Sequence, residues 1–196
     1  FMFTVLDIET TGFSPINSKI IEVYAHTFGK KEKEFHELVN PNRPIPKSIT
    51  RLTGINNNMV YNKPTIETIM PKLNKFISKS TLIVGHNISF DMRFLNYYNM
   101  KINNQIFNNN SLCTLKLVRR LLYNKQVTNH RLNTICDYFN INSNNFHRAK
   151  ADTLATKELF LKIKGKLENN GFNIDDLSNL QNTPCQKAFK IMHNLI

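Results

Sequence analysis

Acidic residues are scarce in this chain: its 196 residues carry 14 Asp and Glu against 26 Lys and Arg, a formal net charge of +12. The imbalance favours a polyanion or an anionic surface as partner, with nucleic acid the first class to consider. On charge alone, a solvated basic surface that aids solubility accounts for it equally well. Cysteine is scarce too. Cys113, Cys136 and Cys185 are odd in number, widely spaced and form no C-x-x-C pair, which excludes a disulfide framework and a zinc knuckle. They read as small core residues in a reducing compartment. No apolar run reaches the roughly 18 residues of a membrane span, and the N-terminus has no basic segment followed by a cleavage site. The expectation is a soluble, cytoplasmic protein with no membrane partner, nucleoid-associated in a bacterium. Internal repeats are absent, and the short asparagine clusters at 56–58, 108–110 and 140–145 read as loops between periodic segments. Phe1 precedes Met2 and a strand pattern starts almost at once, as in a processed, tagged or excised piece of a longer protein.

Length and a 41% hydrophobic content suit one domain with a sizeable core, expected over residues 1–168, followed by a helical tail over 169–196. Residues 2–8, 19–28 and 33–39 are strand-length runs of β-branched and aromatic residues with short connections, which predicts an antiparallel meander. "PIPKSITRLTGI" reads as a loop with a short helix closed by Gly54. Ile66, Ile69, Met70, Leu73, Phe76 and Ile77 then recur at three and four, the face of a helix over 65–78. "TLIVG" (81–85) is a short buried strand, a further strand lies near "SLC" (111–113), and helices are expected at 89–99, 114–123, 130–139 and 149–168. Strands first and strand–helix alternation after them predict an α/β fold: a mixed five-stranded sheet flanked by helices. In the tail, Pro184 starts a helix whose Cys185, Ala188, Phe189, Met192 and Leu195 form one stripe opposite Lys187, Lys190 and Asn194, suited to packing on its own domain or docking on a partner.

Three stretches carry chemistry. In "FTVLDIETTGF" (3–13) strand alternation sends Asp7 and Glu9 to one face and Leu6 and Ile8 to the other. Two carboxylates on one face repel unless a positive charge lies between them, and hard oxygen ligands suit magnesium or manganese. A solvated strand end explains the pair as well when it is taken alone. "LIVGHNISFDMRFL" (82–95) runs a buried strand through Gly85 into a polar turn and a helix with Asp91 near its start. Strand ends beside helix N-termini are where open sheets place chemistry, though Asp91 equally complements a helix dipole with Ser89 as cap. "FHRAKADTLATKELF" (146–160) puts His147 at the mouth of a helix and Asp152 five positions on, among Ala151, Leu154 and Ala155.

In this order, "DIETTG", "HNISFD" and the H-x-x-x-x-D spacing of His147 and Asp152 resemble the DnaQ-like 3′ to 5′ exonucleases of the histidine (DEDDh) subclass. This is the family of the proofreading subunit of bacterial DNA polymerase. "NPNRPIPKSITRLTGI" resembles the linker of such enzymes, and the resemblance covers about residues 2–164. The tyrosine subclass fits badly, because Arg148 stands where its tyrosine is expected.

The resemblance implies an RNase H-like fold in which Asp7, Glu9, Asp91 and Asp152 hold two divalent cations, Mg2+ or Mn2+, with His147 as the general base. It also implies that the Thr10-Thr11-Gly12 turn meets the terminal nucleotide. Phe13 is then suited to stacking on a base or to packing in the core, and His86 and Asn87 to substrate or supporting contacts. Lys150 departs from a position that is often apolar in relatives. The implied function is 3′ to 5′ exonuclease action on single-stranded DNA or other 3′ ends, releasing nucleoside 5′-monophosphates in proofreading or repair, alongside a DNA polymerase subunit or within a larger polypeptide. Two alternatives stand beside it: an exoribonuclease with the same chemistry, since sugar discrimination turns on a 2′-hydroxyl contact that sequence does not display, and a silent nucleic-acid-binding module. The presence of all four acids and the histidine argues against the last.

Overall fold

The computed structural model describes residues 2–29, 31–123, 127–142 and 146–192. In chain order the elements are β1 (Met2–Thr10), β2 (Ile20–Gly29), β3 (Lys33–Leu38), α1 (Lys47–Thr53), α2 (Asn57–Val60), α3 (Ile66–Ile77), β4 (Leu82–Gly85), α4 (Ile88–Asn103), β5 (Asn110–Cys113), α5 (Thr114–Leu121), α6 (Leu132–Tyr138), α7 (Ala149–Glu168), α8 (Ile174–Leu180) and α9 (Cys185–Met192). One five-stranded sheet has the order β3-β2-β1-β4-β5. The first three strands form the expected antiparallel meander, and β4 and β5 add in parallel beside β1. Short α2 and α8 are the elements that sequence periodicity does not reveal, being four and seven residues long. Gly54 ends α1 in the left-handed conformation at φ 74°, a position that a side chain would strain.

Period-two alternation sorts β1 between two helical layers. Leu6 and Ile8 pack with residues of α3 and α4, while Phe3 and Val5 face α5, α7 and the tail helices. Phe3 stacks against Phe160 of α7 with ring centroids 5.5 Å apart. From that contact the geometry of the acids follows. Four strand residues from Phe3 to Asp7 advance about 13 Å at roughly 3.3 Å each, and eight helical residues from Phe160 back to Asp152 advance about 12 Å at 1.5 Å each. A helix running antiparallel to β1 therefore brings Asp152 level with Asp7.

The tail is part of this core. Leu177, Leu180, Ala188 and Met192 are buried with the α5–α7 layer, so the stripe packs inward at Ala188 and Met192; Leu195, Asn194 and residues 143–145 of the asparagine-rich loop lie outside the described residues. Gln181 closes the exposed edge of β5 as a surrogate strand. Its Oε1 accepts the Cys113 N–H at 2.8 Å, and its Nε2 donates to the Ser111 carbonyl at 2.9 Å. Gln181→Ala leaves a buried N–H without a partner and is expected to lower stability by about 1–3 kcal/mol in urea denaturation. Unchanged stability would show that the tail is not tied to the sheet.

Candidate active site

The sheet ends unevenly. β4 stops at Gly85, opposite the middle of β1, so β1 projects past it to Asp7 and Glu9. A Cβ at Gly85 would lie 2.6 Å from Ile88 Cδ1 and 3.2 Å from the Leu6 carbonyl, so a side chain there would have to displace Ile88 and press on the β1 backbone. Asn87, not Ser89, occupies the cap of α4, in the left-handed conformation at φ 71° and without a side-chain capping bond. In the first turn Asp91, 3% exposed, accepts the Ile8 N–H at 3.1 Å, which pins α4 to the backbone between the two β1 acids.

Carboxylate oxygens of Asp7, Glu9 and Asp152 lie within 4.8 Å of one another. Asp91 stands beside this trio; among the neighbouring charges, its own acts most strongly on Asp7. The crowding is visible in the acidities. Burial, then the charges of Asp91, Glu9 and Asp152, push Asp7 well above the usual carboxylate range. Burial followed by Asp152 and Glu22 raises Glu9 to about 8. Burial raises Asp91 to about 8 and Asp152 to about 6, in each case against a backbone N–H that favours the charged form. Asp152 Oδ1 is buried with no hydrogen-bond partner, whereas its Oδ2 accepts the His147 N–H at 3.1 Å. Converging hard oxygens, mutual repulsion and an unpartnered buried oxygen all fit a divalent cation.

His147 is exposed, sits at φ 67°, a strained conformation for a side-chain-bearing residue, and shares with Asp152 the wall of a cavity of about 640 Å³. His86 lines the same cavity, but both ring nitrogens are engaged, Nδ1 with Thr114 Oγ1 at 3.0 Å and Nε2 with the His130 carbonyl at 3.0 Å. Burial, the largest influence, lowers its pKa to about 4. It is a neutral strut, and a substrate contact from its ring nitrogens is not available. The threonines of the turn are also engaged internally. Thr10 Oγ1 donates to the Gly12 carbonyl, and the N–H and hydroxyl of Thr11 both pair with Lys19. What the turn presents is Phe13, 85% exposed and therefore not a core residue, with its carbonyl held by Arg93 at 3.0 Å. Asn87, at the cap of α4, is exposed. Lys150 faces away, pairing with Glu34 at 3.3 Å over the ring of Tyr24.

Sequence reasoning missed Glu22. It lies opposite Glu9 in the β1–β2 register, is fully buried, and accepts from Arg148, His36 and the Ala149 N–H. Burial pushes its carboxyl up, but the hydrogen bonds from Arg148, His36 and Ala149 outweigh this and hold it below the ordinary value. An acid inside the buried run "IIEVYAHTF" was the available signal.

Three comparisons bear on this site. The Exonuclease (RNase T) family matches residues 4–160. The chain is 39% identical over 171 residues to a PolC-type DNA polymerase III of Caldanaerobacter subterraneus, with 86% of the chain but only 12% of that protein covered. It is 36% identical over 167 residues to the DNA polymerase III subunit epsilon of Aquifex aeolicus, with 84% and 81% covered. In structure it resembles exonuclease X, solved in complex with 5′ overhanging duplex DNA, at a TM-score of 0.70 and 25% identity over 91% of this chain and 99% of that one. The RNase H-like architecture expected from the sequence is the one observed.

Because the raised carboxyls stay protonated where an ordinary carboxylate has ionised, the cation-free protein keeps their full contribution to stability below about pH 4 and loses it as pH rises through about 6 and 8. Cation binding needs the ionised forms. Calorimetric Mn2+ titration is therefore expected to show proton release at pH 6.5 and affinity that rises from pH 6 to pH 8. Affinity independent of pH across that window would contradict the crowding.

Proposed function

The chain belongs to the Exonuclease (RNase T) family, and from that premise we propose that it hydrolyses the terminal phosphodiester at the 3′ end of DNA, single strands preferred, to release nucleoside 5′-monophosphates. The observation that carries the reading is the meeting of Asp7, Glu9 and Asp152 within 4.8 Å, with Asp152 on the wall of a cavity that His147 also lines. Asp7, Glu9, Asp91 and Asp152 are the residues to hold two cations, Mg2+ or Mn2+. When bound, these supply a water ionisable near neutral pH and neutralise charge on the phosphate. An imidazole nitrogen of His147 takes the proton from the attacking water, its ring presented to the cavity by the strained backbone at that residue. Phe13 offers a bare ring for the last base, with Gly12 before it in the same turn and Asn87 as a further candidate contact. The similarity to polymerase III polypeptides supports proofreading or repair beside a polymerase, as a separate subunit or as part of a longer chain. No helix among the described residues is long and apolar enough to cross a membrane.

The basic excess has a place in this reading. Arg119 and Arg131 line the cavity with Asp152 and form no ion pair among the described residues, so their charge is available to phosphates upstream of the cleaved bond. Removing both is expected to flatten the dependence of log K on log salt for a single-stranded oligonucleotide by about 1.4, at roughly 0.7 per phosphate contact. An unchanged slope would move the strand's path elsewhere.

The activity itself is tested on matched 5′-labelled DNA and RNA strands and a closed circular single strand. Stepwise shortening of linear DNA, with the circle intact, is expected. Cutting of the circle at the linear rate refutes an exonuclease, and preference for RNA makes it an exoribonuclease. Asp7→Ala should weaken Mn2+ binding and nearly abolish cleavage. His147→Ala should bind Mn2+ yet lose about 10²-fold or more in rate. Near-normal turnover in the histidine variant would remove the base assignment.

A further inference from the structure

We propose that Glu22, outside the carboxylate trio, is a positioning residue that docks the start of α7 on the sheet and so fixes where Asp152 and His147 stand. This rests on the reading above for the roles of those two residues; the docking itself rests on geometry.

Glu22 Oε1 accepts from Arg148 Nη2 at 2.8 Å and from His36 Nε2 at 2.9 Å, while Oε2 accepts from Arg148 Nε at 3.1 Å and from the Ala149 N–H at 3.0 Å. An ionised carboxylate has about four acceptor positions, so four donors saturate it and leave none for a cation. That separates Glu22 from Asp7 and Glu9, although it lies directly across from Glu9.

Two of its partners, Arg148 and Ala149, are the cap and first residue of α7, and the cap has no side-chain bond within its own helix. β2 thus supplies from across the sheet the acceptor that a capping side chain normally supplies locally, to an N–H that the helix itself cannot satisfy. From the other side Asp152 Oδ2 accepts the His147 N–H. Residues 147–149 are therefore clamped between two carboxylates, one buried and saturated, the other in the trio. This over-determination holds His147 at its strained φ of 67°. The fork of Arg148 makes the clamp directional, because two parallel bonds fix the plane of the guanidinium as well as its distance.

The test compares the wild type with Glu22→Gln, Arg148→Lys and the double variant, each measured on protein whose circular dichroism matches the wild type. Arg148→Lys keeps the charge and loses the fork, so it carries the test even where the buried substitution folds poorly. Each single variant is expected to weaken Mn2+ affinity about tenfold by direct titration and to lower kcat about tenfold or more, as loss of a group supporting a metal ligand typically does. KM for a single-stranded oligonucleotide should change by less than about threefold. The double variant should be no worse than the poorer single one, because the two residues act as one unit. A merely structural role would lower the melting temperature while leaving Mn2+ affinity and kcat of the folded protein intact, and that result overturns the proposal. So do losses that multiply in the double variant. Because Mn2+ affinity is read without substrate, the positioning role is judged even if the wild type degrades no nucleic acid, a result that would count against the exonuclease reading alone.

Discussion

Like charges do not gather without a reason, and in this protein three carboxylates converge with a fourth at their side. Burial, joined at Asp7 and Glu9 by the repulsion of neighbouring carboxylates, pushes their acidities toward neutrality, and the fold maintains the arrangement. Each member is delivered by a different device. Asp7 and Glu9 ride on a strand that outruns its parallel neighbour. Asp91 is tied to the Ile8 backbone and Asp152 to the His147 backbone. The hydrophobic contact of Phe3 with Phe160 sets the height at which α7 crosses β1, and the Glu22 clamp sets its end. The core thus works as a ruler: shifting α7 by one turn, about 5.4 Å, would carry Asp152 out of reach of Asp7.

This layout separates two uses of acid side chains. Glu22 is buried but satisfied, an acceptor surrounded by donors, and its carboxyl ionises more readily than usual. Asp7 and Glu9 are half-buried and under-compensated, so they ionise with difficulty. The first condition stabilises a joint. The second leaves negative charge in want of a cation, which is what a hydrolytic centre requires.

Much of this was legible in the chain. Strand alternation placed Asp7 and Glu9 on one face, apolar spacing located α3, and the full span of α7 could be read from its pattern. Ordered motifs linked residues that lie 145 positions apart in the case of Asp7 and Asp152. What stayed hidden was how polar atoms are shared. Nothing in "TTG" or "HN" says that Thr11 closes its loop through Lys19 or that both nitrogens of His86 are engaged by Thr114 and His130. Those partners come from tertiary contacts between distant segments. Glu22 was missed for the same reason: within β2 it resembles a misplaced surface residue, and only the arrival of Arg148 and Ala149 gives it a role. The tail's attachment through Gln181 likewise depends on where β5 ends the sheet.

The most direct measurement is anomalous diffraction from crystals of the whole chain equilibrated with Mn2+ and a deoxynucleoside 5′-monophosphate. A metal centre of the kind described places anomalous peaks among the oxygens of Asp7, Glu9 and Asp152, with Asp91 and the nucleotide's phosphate at their side and Glu22 still held by Arg148. Absence of any peak there at saturating Mn2+, or a peak that draws Glu22 away from Arg148 to serve as a ligand, would contradict it.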